Sequence, residues 1–243
     1  MPAWNVVTFE FDIPVGKLLN RRVCEQAEGC AVTETAHGAL LSVRGGKAVE
    51  RAADAIARLL CRDLQYFVLA KMADALPLDL FEKQQVLTEA LQAARAREEL
   101  AIPRTDLTAY LKTAETVCLE GYLQFRMQDL LMLWQLCVEQ AAAAVLVQKE
   151  YGDLIETLKA YVRTRHSRVR ELMVCIHKDG SCTLTDDSNV RIEYVDCAPD
   201  GIVSLLVNMA PQKLLVYDLS GDSKNRLTET LARIFADRVH IYR

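Results

Sequence analysis

The sequence has no Cys-x-x-Cys pair among its eight cysteines. The zinc-ribbon arrangement, two close thiolate pairs around one ion, is therefore absent. GxSxG, HExxH and Walker A motifs are missing as well. With them go the nucleophile elbow, the two-histidine zinc helix and the phosphate-cradling loop. Histidine is scarce: His37, His166, His177 and His240 are scattered, and none has a triad context. No internal repeat occurs, and Ala141–Ala144 is the only low-complexity run, which argues against solenoid and propeller architectures. No excess of one charge is present either. Twenty-nine Lys and Arg against 33 Asp and Glu leave a net charge of −4. Such a chain has no general attraction for nucleic acid or an anionic membrane.

The opening "MPAWNVVTFEFDIPVG" lacks a basic segment followed by an apolar core, so no signal peptide is read there. The expected compartment is the reducing cytoplasm. Cys24, Cys30, Cys61, Cys118, Cys137, Cys175, Cys182 and Cys197 are accordingly read as thiols, several of them small hydrophobes on apolar faces.

What is present is ample core material. Hydrophobic residues make up 51% of the 243 residues and charged residues 26%, which suits one or two globular domains. The patterning predicts an α+β protein, with a central helical region flanked by small mixed α/β parts. The expected divisions are an N-terminal α/β region over 1–75, a helical region over 76–165 and a C-terminal α/β region over 166–243. The N-terminal part reads strand, helix, hairpin, helix. Trp4–Phe11 is β-rich, Asp12 and Pro14 suit a helix start, and Gly29 suits its end. The turn of the hairpin falls around His37 and Gly38. Val49, Ala52, Ala53, Ile56, Leu59 and Leu60 then recur at helical spacing.

In the middle, Asp79 and Glu82 have the spacing of a capping box. After a break at Pro103, the pattern reads as helix as far as Arg165. An unbroken helix of that length would be roughly 90 Å long, so bends are expected near Thr116–Gly121 and near Gly152. Leu130–Val147 is apolar enough to raise the question of a membrane span. Gln135, Glu139 and Gln140 interrupt it, and a buried or amphipathic helix is the preferred reading. In the C-terminal part, "ELMVCIHKDGSCTLTDDSNVRIEYV" reads as three strands, with Asp179-Gly180 as a two-residue hairpin turn. "KLLVYD", a helix and "RVHIY" follow as a parallel β-α-β unit. Whether the two ends share a sheet is left open.

One arginine stands out. On a continuous helix, Gln124, Gln128 and Gln135 form the water-facing stripe, and Arg126 falls opposite them. Tyr122 at i−4 and Asp129 at i+3 would then be its companions, as an anion or partner contact or as a buried pair fixing helix register. The string "LEGYLQFRMQDL", followed by "KEYGDLIETLKAYV", resembles the YtxC-like family of sporulation proteins from spore-forming bacteria. The resemblance rests on a Glu-Gly-aromatic unit, a Phe-Arg step, a following acid, and a later Glu-Tyr with an acidic-apolar run. It covers roughly Leu107 to the end; the first hundred residues match in layout only. It implies an intracellular protein connected with sporulation, and it implies no catalytic residues.

Four other segments offer chemistry beside plainer readings. Cys175, His177 and Cys182 would share one face of the hairpin if its turn has two residues, with Cys197 as a fourth ligand. Their spacing is non-standard, the preferred reading is small residues on a sheet face, and no metal is expected. "VRGGKAVE" (Val43–Glu50) offers glycines before a helix, as a phosphate site or simply a flexible joint. Asp218, Ser220 and Asp222 follow the carboxyl end of a parallel strand, where ligands collect, but they are also ordinary turn and cap residues. Arg163, Arg165, His166, Arg168 and Arg170 beside Tyr161 suit a helix C-terminus better than nucleic acid. The expectation is a protein-interaction or regulatory role with a protein partner, no cofactor and no membrane span. Nucleic-acid binding is not expected, and the oligomeric state is open. The alternative is an enzyme or ligand-binding protein taking an anionic ligand through the C-terminal α/β part.

Overall fold

A computed structural model of the chain describes residues 1–11, 13–24, 29–96, 104–167, 169–186, 191–194, 199–222 and 224–243. Asp12, Pro103, Arg168 and Cys197, to which the sequence reading gives roles, lie outside these residues. The fold is α+β. It divides into two compact units, Met1–Leu146 and Val147–Arg243. Each has its own sheet and its own core, so the strands of the two ends do not share a sheet.

In the first unit, β1 (Ala3–Val7), α1 (Val15–Cys24), β2 (Cys30–Thr35) and β3 (Gly38–Val43) follow the expected order. Ala39, Leu41 and Val43 are buried on one side of β3, and Trp4 and Val6 on β1 join them in the core. Gly38 is required where the hairpin meets β1, because a Cβ there would overlap the Val6 carbonyl oxygen. α2 (Ala48–Arg58) runs through a wider π turn, Leu59–Leu64, into α3 (Gln65–Asp74). This turn holds Asp63, whose carboxylate takes a two-pronged pair from Arg22 on α1. Arg22 Nε donates to Oδ2 at 2.8 Å and Nη2 to Oδ1 at 2.7 Å, with both side chains only 10% exposed.

α4 (Leu80–Ala96) begins with the capping box the spacing predicts. The Glu82 amide donates to Asp79 Oδ1 and the Asp79 amide to Glu82 Oε2, both at 2.9 Å. α5 (Arg104–Leu111) follows, and then the structure departs from the sequence reading. Where a bend in a helix was expected, Thr116–Cys118 form a three-residue strand, β4, parallel to β1. The sheet order is β2-β3-β1-β4.

α6 (Leu119–Arg126) and α7 (Gln128–Thr164) come next. The expected bend at Gly152 does not occur, and α7 is continuous over 37 residues. One glycine inside a helix costs about 1 kcal/mol relative to alanine, which good helix formers on both sides absorb. Part of α7 is long and apolar enough to cross a membrane by length and composition alone, and a third of that window is buried. Leu130, Trp134, Cys137, Val138, Ala141 and Val145 repeat at helical spacing and enter the core of the first unit.

In the second unit the sheet order is β7-β6-β5-β8-β9. β5 (Glu171–Ile176), β6 (Cys182–Asp186) and β7 (Arg191–Tyr194) form an antiparallel meander. β8 (Lys213–Asp218) lies parallel to β5 and to β9 (Val239–Tyr242), as the β-α-β reading predicts. Leu214, Leu215 and Val216 are all buried, the apolar run of a strand covered on both faces. α8 (Pro199–Met209), α9 (Arg226–Phe235) and the last turns of α7 complete the unit; Ile155, Val162, Leu206, Leu231 and Phe235 join the strand residues in its core. Asn225 caps α9, its side-chain oxygen accepting from the Leu227 and Thr228 amides at 3.0 and 3.2 Å. Asn225→Ala should cost about 1 kcal/mol, read as faster amide exchange in the first turn of α9.

Candidate functional site

Arg126 does not point inward. It is exposed, as are Gln124, Phe125 and Asp129, while Tyr122 is buried. The reason is a break in the helix. α6 ends at Arg126, and Met127 adopts φ −124° and ψ 39° before α7 begins. A helical wheel carried across Met127 therefore assigns the wrong face. Arg126 and Asp129 form no ion pair among the described residues. Tyr122 packs on Tyr110, with ring centroids 5.3 Å apart. Burial, and then the Asp106 carboxylate, raise its phenol above the ordinary value, and Arg126 pulls the other way. Arg126→Met should change stability by no more than about 0.5 kcal/mol, as exposed substitutions do. Denaturant unfolding is the check.

The hairpin also differs by one residue from its expected register. The His177 amide donates to the Ser181 carbonyl at 2.8 Å, and the Gly180 amide to the His177 carbonyl at 3.0 Å. Three residues are enclosed, with Gly180 at φ +82°. Cys182 consequently pairs with Ile176, and Cys175 with Thr183. A shift of one flips every side chain. Cys182 thus sits on the buried face and Cys175 on the opposite one, while the His177 ring lies 2.9 Å from the Thr183 hydroxyl. Cys175, His177 and Cys182 are not brought together, and no group of three metal-ligating side chains occurs among the described residues.

Asp218, Ser220 and Asp222 do converge, on one another. Asp218 Oδ1 accepts from the Ser220 hydroxyl at 2.5 Å and its amide at 3.2 Å; Oδ2 accepts from Thr228 at 2.7 Å. Asp222 accepts from the Lys224 amide at 2.9 Å. Burial alone would raise the Asp218 carboxyl, but these hydrogen bonds from Ser220 and Thr228 outweigh it and hold the group below the ordinary carboxylate range. The loop is a self-satisfied turn. Thr228, fully buried on α9, is its member that sequence reasoning missed. The Gly45-Gly46 segment is a strand-to-helix joint, with the Ala48 amide donating to the Gly45 carbonyl. The basic run closes α7, where Arg165 lies on the Tyr161 ring.

The Glu-Gly-aromatic unit has a role of its own. Glu120 lies in the first turn of α6, which follows β4 directly. Its Oε1 accepts from the Thr8 hydroxyl and from the amides of Phe9, Glu10 and Phe11, the last three at 3.0, 3.2 and 3.4 Å. Successive amides turned toward one oxygen make an anion-binding concavity, and here the chain fills it with its own carboxylate. Burial raises the Glu120 carboxyl, but the Thr8 hydroxyl and the loop amides lower it more, and it stays below the ordinary value. Cys118 caps α6 by accepting from the Gly121 amide at 3.4 Å, and burial first of all raises its thiol above the ordinary value. Glu120 thereby ties the ends of β1 and β4 together. The tied loop forms one wall of a polar cleft of about 510 Å³, whose other wall is the turn between β2 and β3.

The second motif builds a different kind of surface. In the second unit, Tyr151, Leu154, Ile155 and Leu158 of α7 face α8 and α9 across a groove of about 580 Å³. Val203, Val207, Leu227 and Ile234 supply the other apolar walls, and Ser204, Asn208, Arg226 and Thr230 the polar edge. The Tyr151 hydroxyl lies 2.8 Å from that of Thr230, and the Arg233 guanidinium covers the Tyr151 ring at 5.3 Å. A groove of this size, mostly apolar with a few placed polar groups, is what binding sites use. Its α7 residues carry the helical period, but the α8 and α9 walls could not be paired with them from sequence alone.

The pattern of the YtxC-like family matches residues 74–240. A Bacillus subtilis (strain 168) protein with the name "Uncharacterized protein YtxC" is 24% identical over 194 residues, which is 73% of this chain and 62% of that protein. The chain thus spans less than two thirds of that relative's length. No solved structure matches. Both motifs described above lie inside the matched region, which begins ahead of α4 and runs into β9, and the chain belongs to the YtxC-like family.

Proposed function

We propose that this chain is a docking protein of the cytoplasm, non-enzymatic, which binds a protein partner during sporulation. The α7–α8–α9 groove carries the reading. It is an apolar concavity of the second unit, and Tyr151 of the family's Glu-Tyr segment lines it. The polar groups that sequence reasoning offered for chemistry speak for the same reading. Asp218 accepts from both Ser220 and Thr228, and Cys175 and Cys182 face apart. The link with sporulation comes from the family resemblance. In this reading α7 is a helix of a water-soluble protein, because Trp134, Cys137 and Val138 are buried in the first core.

The test replaces the native copy in a spore-forming bacterium with a tagged one and with Leu154→Glu. Leu154 is 54% exposed, so the change leaves the fold intact. A protein retained by the wild type from sporulating cells, lost with Leu154→Glu together with a drop in spore yield, is the expected result. Full spore yield and no retained protein would overturn the reading.

A further inference from the structure

The charged groups along the groove are mostly arginines, and Arg226 is the charged residue among those lining it. On α9, Arg226 and Arg233 point along the groove side, seven residues apart. Just past the end of α7, Arg165 continues the helical line of Leu158, with its guanidinium 3.5 Å from Asn208 at the groove edge. None of these three arginines is in an ion pair among the described residues. Two are held over tyrosine rings, Arg233 on Tyr151 at 5.3 Å and Arg165 on Tyr161 at 5.2 Å. Of the nearby acids of α7, Asp153 and Glu156 fall on its far side by helical spacing, Glu156 is paired with Lys159, and Glu150 is exposed one turn before Leu154. Glu229, three residues after Arg226 and four before Arg233, shares their side of α9, so this edge carries one carboxylate beside its guanidinium groups.

The apolar walls have a length as well as a charge. Tyr151, Leu154 and Leu158 follow the i, i+3, i+7 pattern and span roughly 10 Å, about two helical turns. Val203 and Val207 are one turn apart on α8, and Leu227 and Ile234 two turns apart on α9. Three helices presenting ridges at these spacings leave a channel into which the ridge of a fourth helix fits. Three guanidinium groups in no ion pair among the described residues, outnumbering Glu229 and placed along both sides, favour a guest that brings carboxylates.

Resting on the docking reading above, we propose that the partner's docking element is an acidic amphipathic helix of about two turns. Its apolar face lies on Tyr151, Leu154 and Leu158, and its flanking carboxylates meet Arg226, Arg233 and Arg165.

The test uses the full chain and three labelled helical peptides of about 14 residues. Their apolar face is the same, with leucines at i, i+3 and i+7, and their flanks are glutamate, glutamine or lysine. Fluorescence anisotropy at low salt should place the glutamate peptide about tenfold tighter than the glutamine peptide, with the lysine peptide weakest. In Arg226→Glu/Arg233→Glu the order should invert, while the thermal unfolding of this exposed-site variant stays as in the wild type. Equal binding of the three peptides, an unchanged order in the double variant, or no binding at all would overturn the acidic-helix inference. Binding of dodecanoate in place of every peptide would assign the groove to an anionic amphiphile and overturn it too. The two readings fail separately. A partner retained in cells through Leu154 with no charge order among the peptides removes only the acidic helix. A clear charge order with no partner in sporulating cells removes only the sporulation role.

Discussion

Arg22→Met is expected to destabilise the first unit by about 3–5 kcal/mol, the cost of leaving one member of a buried ion pair behind. The Asp63 carboxylate receives both Nε and Nη2 of Arg22 at 2.8 and 2.7 Å, and each side chain is 90% removed from water. Methionine keeps the volume of the stem and takes away the fork, so a desolvated carboxylate loses its counter-charge. Both tryptophans, Trp4 and Trp134, are buried in the same core, so their fluorescence during urea unfolding reports this unit by itself. Arg22→Met/Asp63→Leu should recover most of the loss, because two apolar groups pack where the pair stood and no charge is stranded. A double variant as weak as the single one would mean that the arginine acts through packing alone. An Arg22→Met single variant as stable as the wild type would show that the pair contributes nothing.

That pair bears on what the sequence could reveal. The arginine expected to be buried and paired, Arg126, is exposed, and the buried pair of the first unit, Arg22 with Asp63, was not anticipated. Arg22 lies on the stripe of Val15, Leu19 and Val23, and Asp63 sits beside Leu59, Leu60 and Leu64. Each is therefore a charge on an apolar helical face, a pattern visible in one dimension. Their pairing across 41 residues is not visible there. Arg126 failed for the opposite reason, because periodicity assumes an unbroken helix and Met127 breaks it. β4 was missed because three residues, "TVC", hold too little pattern of their own; they are a strand because β1 lies beside them. The elements read correctly carry their signal locally. The capping box has its two partners three residues apart, and β8, α9 and β9 pass from an apolar run to a helical period and back. The hairpin was recognised from Asp179-Gly180, and only its loop length was misjudged. That one residue was enough to place the two cysteines on opposite faces. The groove needs α7, α8 and α9 together, and their packing is a tertiary fact.

Glu120→Ala is expected to cost about 2–3 kcal/mol at neutral pH, since hydrogen bonds to a charged acceptor are worth about 1.5–3 kcal/mol and part of this network faces water. Glu120→Gln keeps one acceptor oxygen but not the charge, and should fall between the two. Three amides and one hydroxyl converge on Oε1, and the amide of Glu10 is among them. Without the carboxylate the Thr8–Phe11 loop loses its anchor to α6. The amides of Phe9, Glu10 and Phe11 should then exchange faster than in the wild type, while those of β3 stay protected by their strand pairing. The pH dependence has a definite sign. The folded-state value of Glu120 is lowered from 4.5, so its ionised form is the one that stabilises the fold. That contribution is complete above pH 4.5, the ordinary value, and disappears as the pH falls through the lowered one. The stability gap between wild type and Glu120→Ala should therefore be constant near neutrality and close below pH 4.5. A gap that persists in acid would assign the loss to packing instead of charge. Unchanged exchange at Phe9–Phe11 would remove the carboxylate from the loop altogether. With the expected result, the Glu-Gly-aromatic unit is an internal anion that fixes the Thr8–Phe11 segment against α6.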